Sequence, residues 1–118
     1  MDWLLFLANT TPPILIVIMG ILWRRFPPKN INYFYGYRTQ RSMKNQQTWD
    51  FANQIGPDMF IRTGFFLFLI SAFAFWFFDI REAIIANVVA MVFGLTSGVI
   101  LCEGKLAQHF DKDGNPKG

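Results

Sequence analysis

Residues 65–78 read FFLFLISAFAFWFF, a run that is apolar on every helical face except at Ser71. A helix at the surface of a water-soluble domain needs a polar stripe, and this stretch has none. Taken back to Met59, the run is long enough as a helix to span about 30 Å, the thickness of a bilayer's hydrocarbon core. Two more segments of similar length and composition flank it in the sequence, Trp3 to Trp23 and Ala83 to Cys102.

The whole chain agrees with lipid as its solvent. Of 118 residues, 53% are hydrophobic and 18% aromatic, while 16% are charged, against roughly a quarter in soluble domains. Fourteen Phe and four Trp would overfill the interior of a water-facing domain of this size. The expectation is a single all-α membrane domain over residues 1–118, with transmembrane helices at about 3–23, 59–78 and 83–102. A cytoplasmic helical cap within 24–58 lies between the first two helices, and a polar tail covers 103–118. Asp2 stands where a signal peptide would carry positive charge, and no small-residue cleavage site follows, so the first segment reads as a retained anchor.

Basic residues set the expected orientation. All but Arg81 fall in the 24–58 connection, just inside the second crossing at Arg62, or in the tail at Lys105, Lys112 and Lys117. By the positive-inside tendency that side is cytoplasmic, with the N-terminus and the short 79–82 turn outside. Trp3, Trp23 and Trp76 lie near helix ends, where indole rings favour the headgroup layer. The tail from Asp111 onward reads as a frayed end.

Within the crossings, Pro12 and Pro13 follow Asn9, Thr10 and Thr11, so a kink or broken start is expected. The carbonyls that the prolines free need donors from side chains or neighbouring helices. In the third crossing Ala86, Ala90, Gly94, Gly98 and Cys102 recur every four residues and form one small-residue stripe. Gly94 and Gly98 have the spacing that lets helix backbones approach closely. The stripe suits packing within the chain or a homo-oligomer, and Asn87, Thr96 and Ser97 are expected to bond across helices.

Chemistry-bearing arrangements are sparse. Cys102 is the single cysteine, and no Cys/His spacing suits zinc or an iron–sulfur cluster. No nucleophile–base or carboxylate pair stands out, so neither catalysis nor a cofactor is expected. Asp111-Lys112-Asp113-Gly114-Asn115 starts like a calcium loop but lacks the third acidic ligand and the distal glutamate. His109 reads as a surface residue.

Most information lies in the first connection, which is longer than an idle loop would be. The prolines of Phe26-Pro27-Pro28-Lys29 hold its start extended. Tyr33, Phe34, Tyr35 and Tyr37 then sit among basic residues, a composition that suits a lipid headgroup layer rather than nucleic acid. Gly36 permits a positive-φ turn, and Arg38 offers a planar fork for a phosphate or for carbonyls. Ser42 or Thr39 is the expected cap of a helix on which Trp49, Ala52, Asn53 and Gly56 share a face. Gly56-Pro57 is expected to break or bend the chain before the second crossing.

Read in order, Gly36-Tyr37-Arg38-Thr39, Ser42-Met43-Lys44-Asn45, Thr48-Trp49 and Ala52-Asn53 resemble the signature of the SdpI/YfhL family of small bacterial membrane proteins. In that family a cytosolic GYRT-x-x-S-M-K-N segment precedes a tryptophan and an Ala-Asn pair, and Phe-Pro-Pro-Lys often comes before it. The resemblance implies a multi-pass protein of the bacterial inner membrane with a cytoplasmic motif. It also implies immunity to a secreted antimicrobial peptide, or signalling through a cytoplasmic regulator, as in the family's namesake, which has additional N-terminal crossings. Gly36, Tyr37, Arg38, Thr39, Ser42, Lys44, Asn45, Trp49 and Asn53 are then the candidate binding residues. The alternative from another class is a structural or transport-associated subunit that assembles through the third helix.

Overall fold

A computed structural model describes residues 3–117, so Asp2 and the last tail residue, Gly118, lie outside the described residues. Three helices account for most of the chain: α1 (Trp3–Arg25), α2 (Gln46–Phe77) and α3 (Ile80–His109). Each is long and apolar enough to cross a membrane, and the protein is a multi-pass membrane protein. The molecule measures 54 × 24 × 20 Å, one long axis set by the helices.

The helices do not break where local signals suggested. α1 runs unbroken through Pro12 and Pro13. Pro13 has no N–H for the carbonyl of Asn9, and the buried Ser71 hydroxyl of α2 donates to that oxygen at 2.7 Å. The hydroxyls of Thr10 and Thr11 bond back to the carbonyls of Phe6 and Leu7. The expected cap helix and second crossing are likewise one 32-residue helix, with Pro57 inside it. Pro57 is fully buried, and a Cβ on Gly56 would strike the Trp23 ring. Tertiary packing therefore holds a segment that proline alone would disfavour.

α2 is the central element. It meets α1 along most of its length and α3 along a second face, whereas α1 and α3 barely touch. Gly20 and Gly64 bring the α1 and α2 backbones together, since a Cβ on either would lie 3.0–3.1 Å from a backbone nitrogen of the other helix. On α3, Gly98 packs on Met59, and Gly94 on Thr63 and Leu67. The Gly94–Gly98 part of the stripe is thus used within the chain, while Ala86 and Ala90 are only half-buried. Large side chains such as Phe73, Phe93 and Leu101 point outward from α2 and α3, as lipid contact requires.

α2 and α3 meet through a short turn at Phe78 and Asp79, where Asp79 caps α3 by accepting the Glu82 amide at 2.9 Å. The tail is folded rather than frayed. Asp111 accepts the amides of Asp113 and Asn115, and the Lys117 amide returns to the His109 carbonyl at 2.8 Å. Those amides, first among them Asn115's, hold the Asp111 carboxyl below the usual carboxylate range.

Candidate functional site

The end of the bundle opposite the Phe78–Asp79 turn gathers the motif residues, and Asn53 is their centre. Its side-chain N–H donates to the Trp49 carbonyl one turn earlier at 2.9 Å. That bond fixes the amide so that its oxygen faces two donors. The Trp23 indole of α1 donates to it at 3.1 Å and the backbone N–H of Tyr37 at 2.7 Å. One buried amide thereby joins α1, α2 and the connecting segment.

Gly36 makes this approach feasible. Its φ is +109°, and a Cβ there would fall 2.6 Å from both Asn53 Oδ1 and Pro28 Cγ. Trp49, fully buried, donates from its indole to the Pro28 carbonyl at 2.9 Å and so pins the Pro-Pro stretch to α2. Tyr37 is buried too, and its hydroxyl donates to Glu103 of α3 at 2.9 Å. Burial, and then this hydrogen bond, push the phenol well above the ordinary tyrosine range. Tyr37 therefore belongs to the core, unlike Tyr33 and Phe34, which remain exposed.

Thr39 and Ser42 close a turn rather than a helix start. The Thr39 amide donates to the Ser42 hydroxyl at 2.8 Å, the Ser42 amide donates to the Thr39 hydroxyl at 3.2 Å, and the Ser42 hydroxyl donates to the Tyr37 carbonyl. The cap of α2 is Asn45, paired reciprocally with Thr48 in a capping box. The spacing of Asn45 and Thr48 carried that signal, because an oxygen-bearing side chain three residues after a cap can reach back to it. The Asn45 side chain also donates to the Gly114 carbonyl at 2.7 Å and holds the tail in place.

Two motif residues do not join this interior. Arg38 is exposed and donates to the Tyr33 carbonyl within the connection, so it does not tie the loop to helix ends. Lys44 is exposed beside Arg41, Lys112 and Glu103 around one open recess, and Arg41 pairs with Glu103 at 3.4 Å. No local signal marks Trp23, Pro28 and Glu103 as members of this site, since their partners lie 21 to 66 positions away. Trp23 in particular is a buried donor and not a headgroup anchor, whereas Trp3 and Trp76 are exposed as belt residues should be.

A second polar feature lies toward the turn end. Asn9, Pro12 and Pro13 of α1 and Asn87 of α3 line a cavity of about 230 Å³, floored by Leu67 of α2. The side-chain nitrogens of Asn9 and Asn87 are buried and have no hydrogen-bond partner. Asn87 thus does not bond across helices through its nitrogen, and Thr96 and Ser97 stay on exposed faces.

A family model described as the SdpI/YfhL protein family matches residues 29–102, which include the motif from Gly36 to Asn53 but not its partners Trp23, Pro28, Glu103 and Gly114. The uncharacterized protein YfhL of Bacillus subtilis (strain 168) is 50% identical over 50 residues, 42% of this chain and 46% of that protein. The match thus spans less than half of that relative's length. No solved structure matches significantly.

Proposed function

The chain belongs to the SdpI/YfhL family, and from that premise we propose that it is a binding protein of the immunity or signalling type, which recognises a secreted antimicrobial peptide within the membrane. One observation carries the reading: two buried amide donors, Asn9 Nδ2 and Asn87 Nδ2, lack partners and line one cavity between α1 and α3. An unsatisfied buried donor costs about 1–3 kcal/mol, and a peptide carbonyl seated there would recover that cost. In this reading the turn end lies outside the bacterial inner membrane, where a secreted peptide arrives, and the motif end is cytoplasmic. α1 lines the cavity with Asn9 and bonds Asn53 through Trp23, so displacement of α1 reaches the motif. Exposed Arg38 and Lys44 are then the contacts for a cytoplasmic regulator.

The test is survival of a peptide-sensitive bacterium that expresses the chain, challenged with a panel of purified membrane-active bacterial peptides. Asn9→Leu and Asn87→Leu should remove protection while the protein inserts and melts no lower than the parent. Arg38→Ala should leave peptide binding intact and remove the relayed response. Trp49→Ala is a weaker probe than sequence suggests, because Trp49 is fully buried and its loss should disrupt the fold of the site itself. Protection retained in both asparagine variants would sink the reading and favour a structural subunit that assembles through the lipid-facing side of α3.

A further inference from the structure

Arg62 is the charged residue set deepest in α2. From Arg62 to Phe77, the last residue of α2, the helix rises about 22 Å, less than the roughly 30 Å of a hydrocarbon core. The Arg62 backbone therefore lies inside the apolar layer when the turn end sits at the opposite interface. Among the described residues no carboxylate pairs with Arg62 or with Lys105 of α3. Both cations line the same groove between α2 and α3, a cavity of about 600 Å³. Asp58 also lines it, but that carboxylate is engaged by Arg24.

Helix direction brings the two cations together. α2 leaves the motif end and α3 returns to it, and side chains lean toward the N-terminus of their own helix. Arg62 thus leans toward the motif end and Lys105 away from it, so their heads converge on one mouth. Beyond that mouth the groove continues past Gly98 and Gly94 to Ile70 and Ala90. From Lys105 to Ala90 is about 22 Å along α3, longer than the ~15 Å of half a hydrocarbon core. The small residues leave room for a chain, and the cations supply two charges with which no carboxylate among the described residues forms an ion pair.

We propose that this groove binds an anionic phospholipid, with one acyl chain between α2 and α3 and its phosphate held by Arg62 and Lys105. Charge complementarity selects this occupant over a second copy of the chain, whose acids near the same end are already engaged, Glu103 of α3 by Tyr37 and Arg41 and Asp58 of α2 by Arg24. An anionic headgroup gives two cations what bulk lipid tails cannot, and basic pockets between transmembrane helices recognise such headgroups.

The 118-residue chain, purified in mild detergent, is examined by native mass spectrometry with phosphatidylglycerol or phosphatidylcholine at matched acyl composition. One phosphatidylglycerol should be retained per chain at least tenfold more strongly than phosphatidylcholine. Arg62→Gln with Lys105→Gln should abolish that preference without lowering the melting temperature in detergent alone. Ser97→Trp, which fills the groove from an exposed position and leaves both cations in place, should reduce retention by a similar factor. Excess inorganic phosphate should not displace the lipid, because the acyl chain supplies much of the affinity; displacement would mean a bare phosphate site and overturn the proposal. Equal retention of the two lipids, retention unchanged in either variant, or a lipid-free dimer would overturn it as well.

Discussion

Replacing Asn53 with alanine tests whether one amide holds the motif end together. The substitution leaves two donors without an acceptor, the Trp23 indole and the Tyr37 backbone N–H, and both residues are buried. Each orphaned buried donor costs about 1–3 kcal/mol, so the variant should lose about 2–6 kcal/mol. The third bond, from Asn53 to the Trp49 carbonyl, adds little, because that carbonyl also receives a helical backbone bond. Against the roughly 5–15 kcal/mol that holds a typical domain together, the loss is severe. Equilibrium unfolding in mixed micelles measures it, and a double-mutant cycle with Trp23→Phe isolates the shared bond. Phenylalanine removes the indole donor, so it should cost much less in the Asn53→Ala background, with a coupling of about 1–2 kcal/mol. Additivity within about 0.5 kcal/mol, as distant independent sites show, would refute the hub.

Three further outcomes are expected. Gly36→Ala combines a positive φ of 109° with a Cβ 2.6 Å from Asn53 Oδ1, and strain of this kind costs about 1–3 kcal/mol before the clash is counted; a lowered melting temperature and a red-shifted Trp49 emission would report it. Ser71→Ala strips the donor from the Asn9 carbonyl and should cost about 1–3 kcal/mol, while Pro13→Ala added to it restores a backbone donor and should recover much of the loss in the same unfolding assay. Tyr37 has a folded pKa raised above its unfolded value by burial and Glu103, so its contribution to stability is complete below about pH 10 and declines as pH rises from there. The unfolding midpoint should therefore fall more steeply across that range in the parent than in Tyr37→Phe.

The crossings were legible because hydropathy needs no knowledge of partners. A run such as residues 65–78 must be kept from water whatever surrounds it. The shared face of Trp49, Ala52, Asn53 and Gly56 was legible for a similar reason, since helical periodicity is local, and all four are buried. The failures lie where a distant residue outvotes a local signal. Pro57 reads as a break, but Trp23 packs on Gly56 and the helix continues. Pro12 and Pro13 read as a broken start, but Ser71, 62 positions away, supplies the missing donor. The tail reads as loose because nothing near it in sequence shows that Asn45 will bind the Gly114 carbonyl.

The motif itself changes meaning between one dimension and three. In sequence its polar, aromatic and basic residues look like a surface that meets a partner. In the folded chain Tyr37, Thr39, Ser42, Asn45, Trp49 and Asn53 spend their hydrogen-bonding capacity on one another, on the helices, on the Pro28 carbonyl and on the tail. A donor already bonded inside the protein offers little net energy to a ligand, because binding would only exchange one partner for another. Under the proposed function, recognition at this end would use what the network leaves free, which is the positive charge of Arg38 and Lys44 with Lys112 beside them. An acidic partner surface meets that requirement. Substitution of the interior residues would then report on folding, while Arg38→Glu or Lys44→Glu would weaken partner capture at unchanged stability, and the two classes of variant separate scaffold from contact.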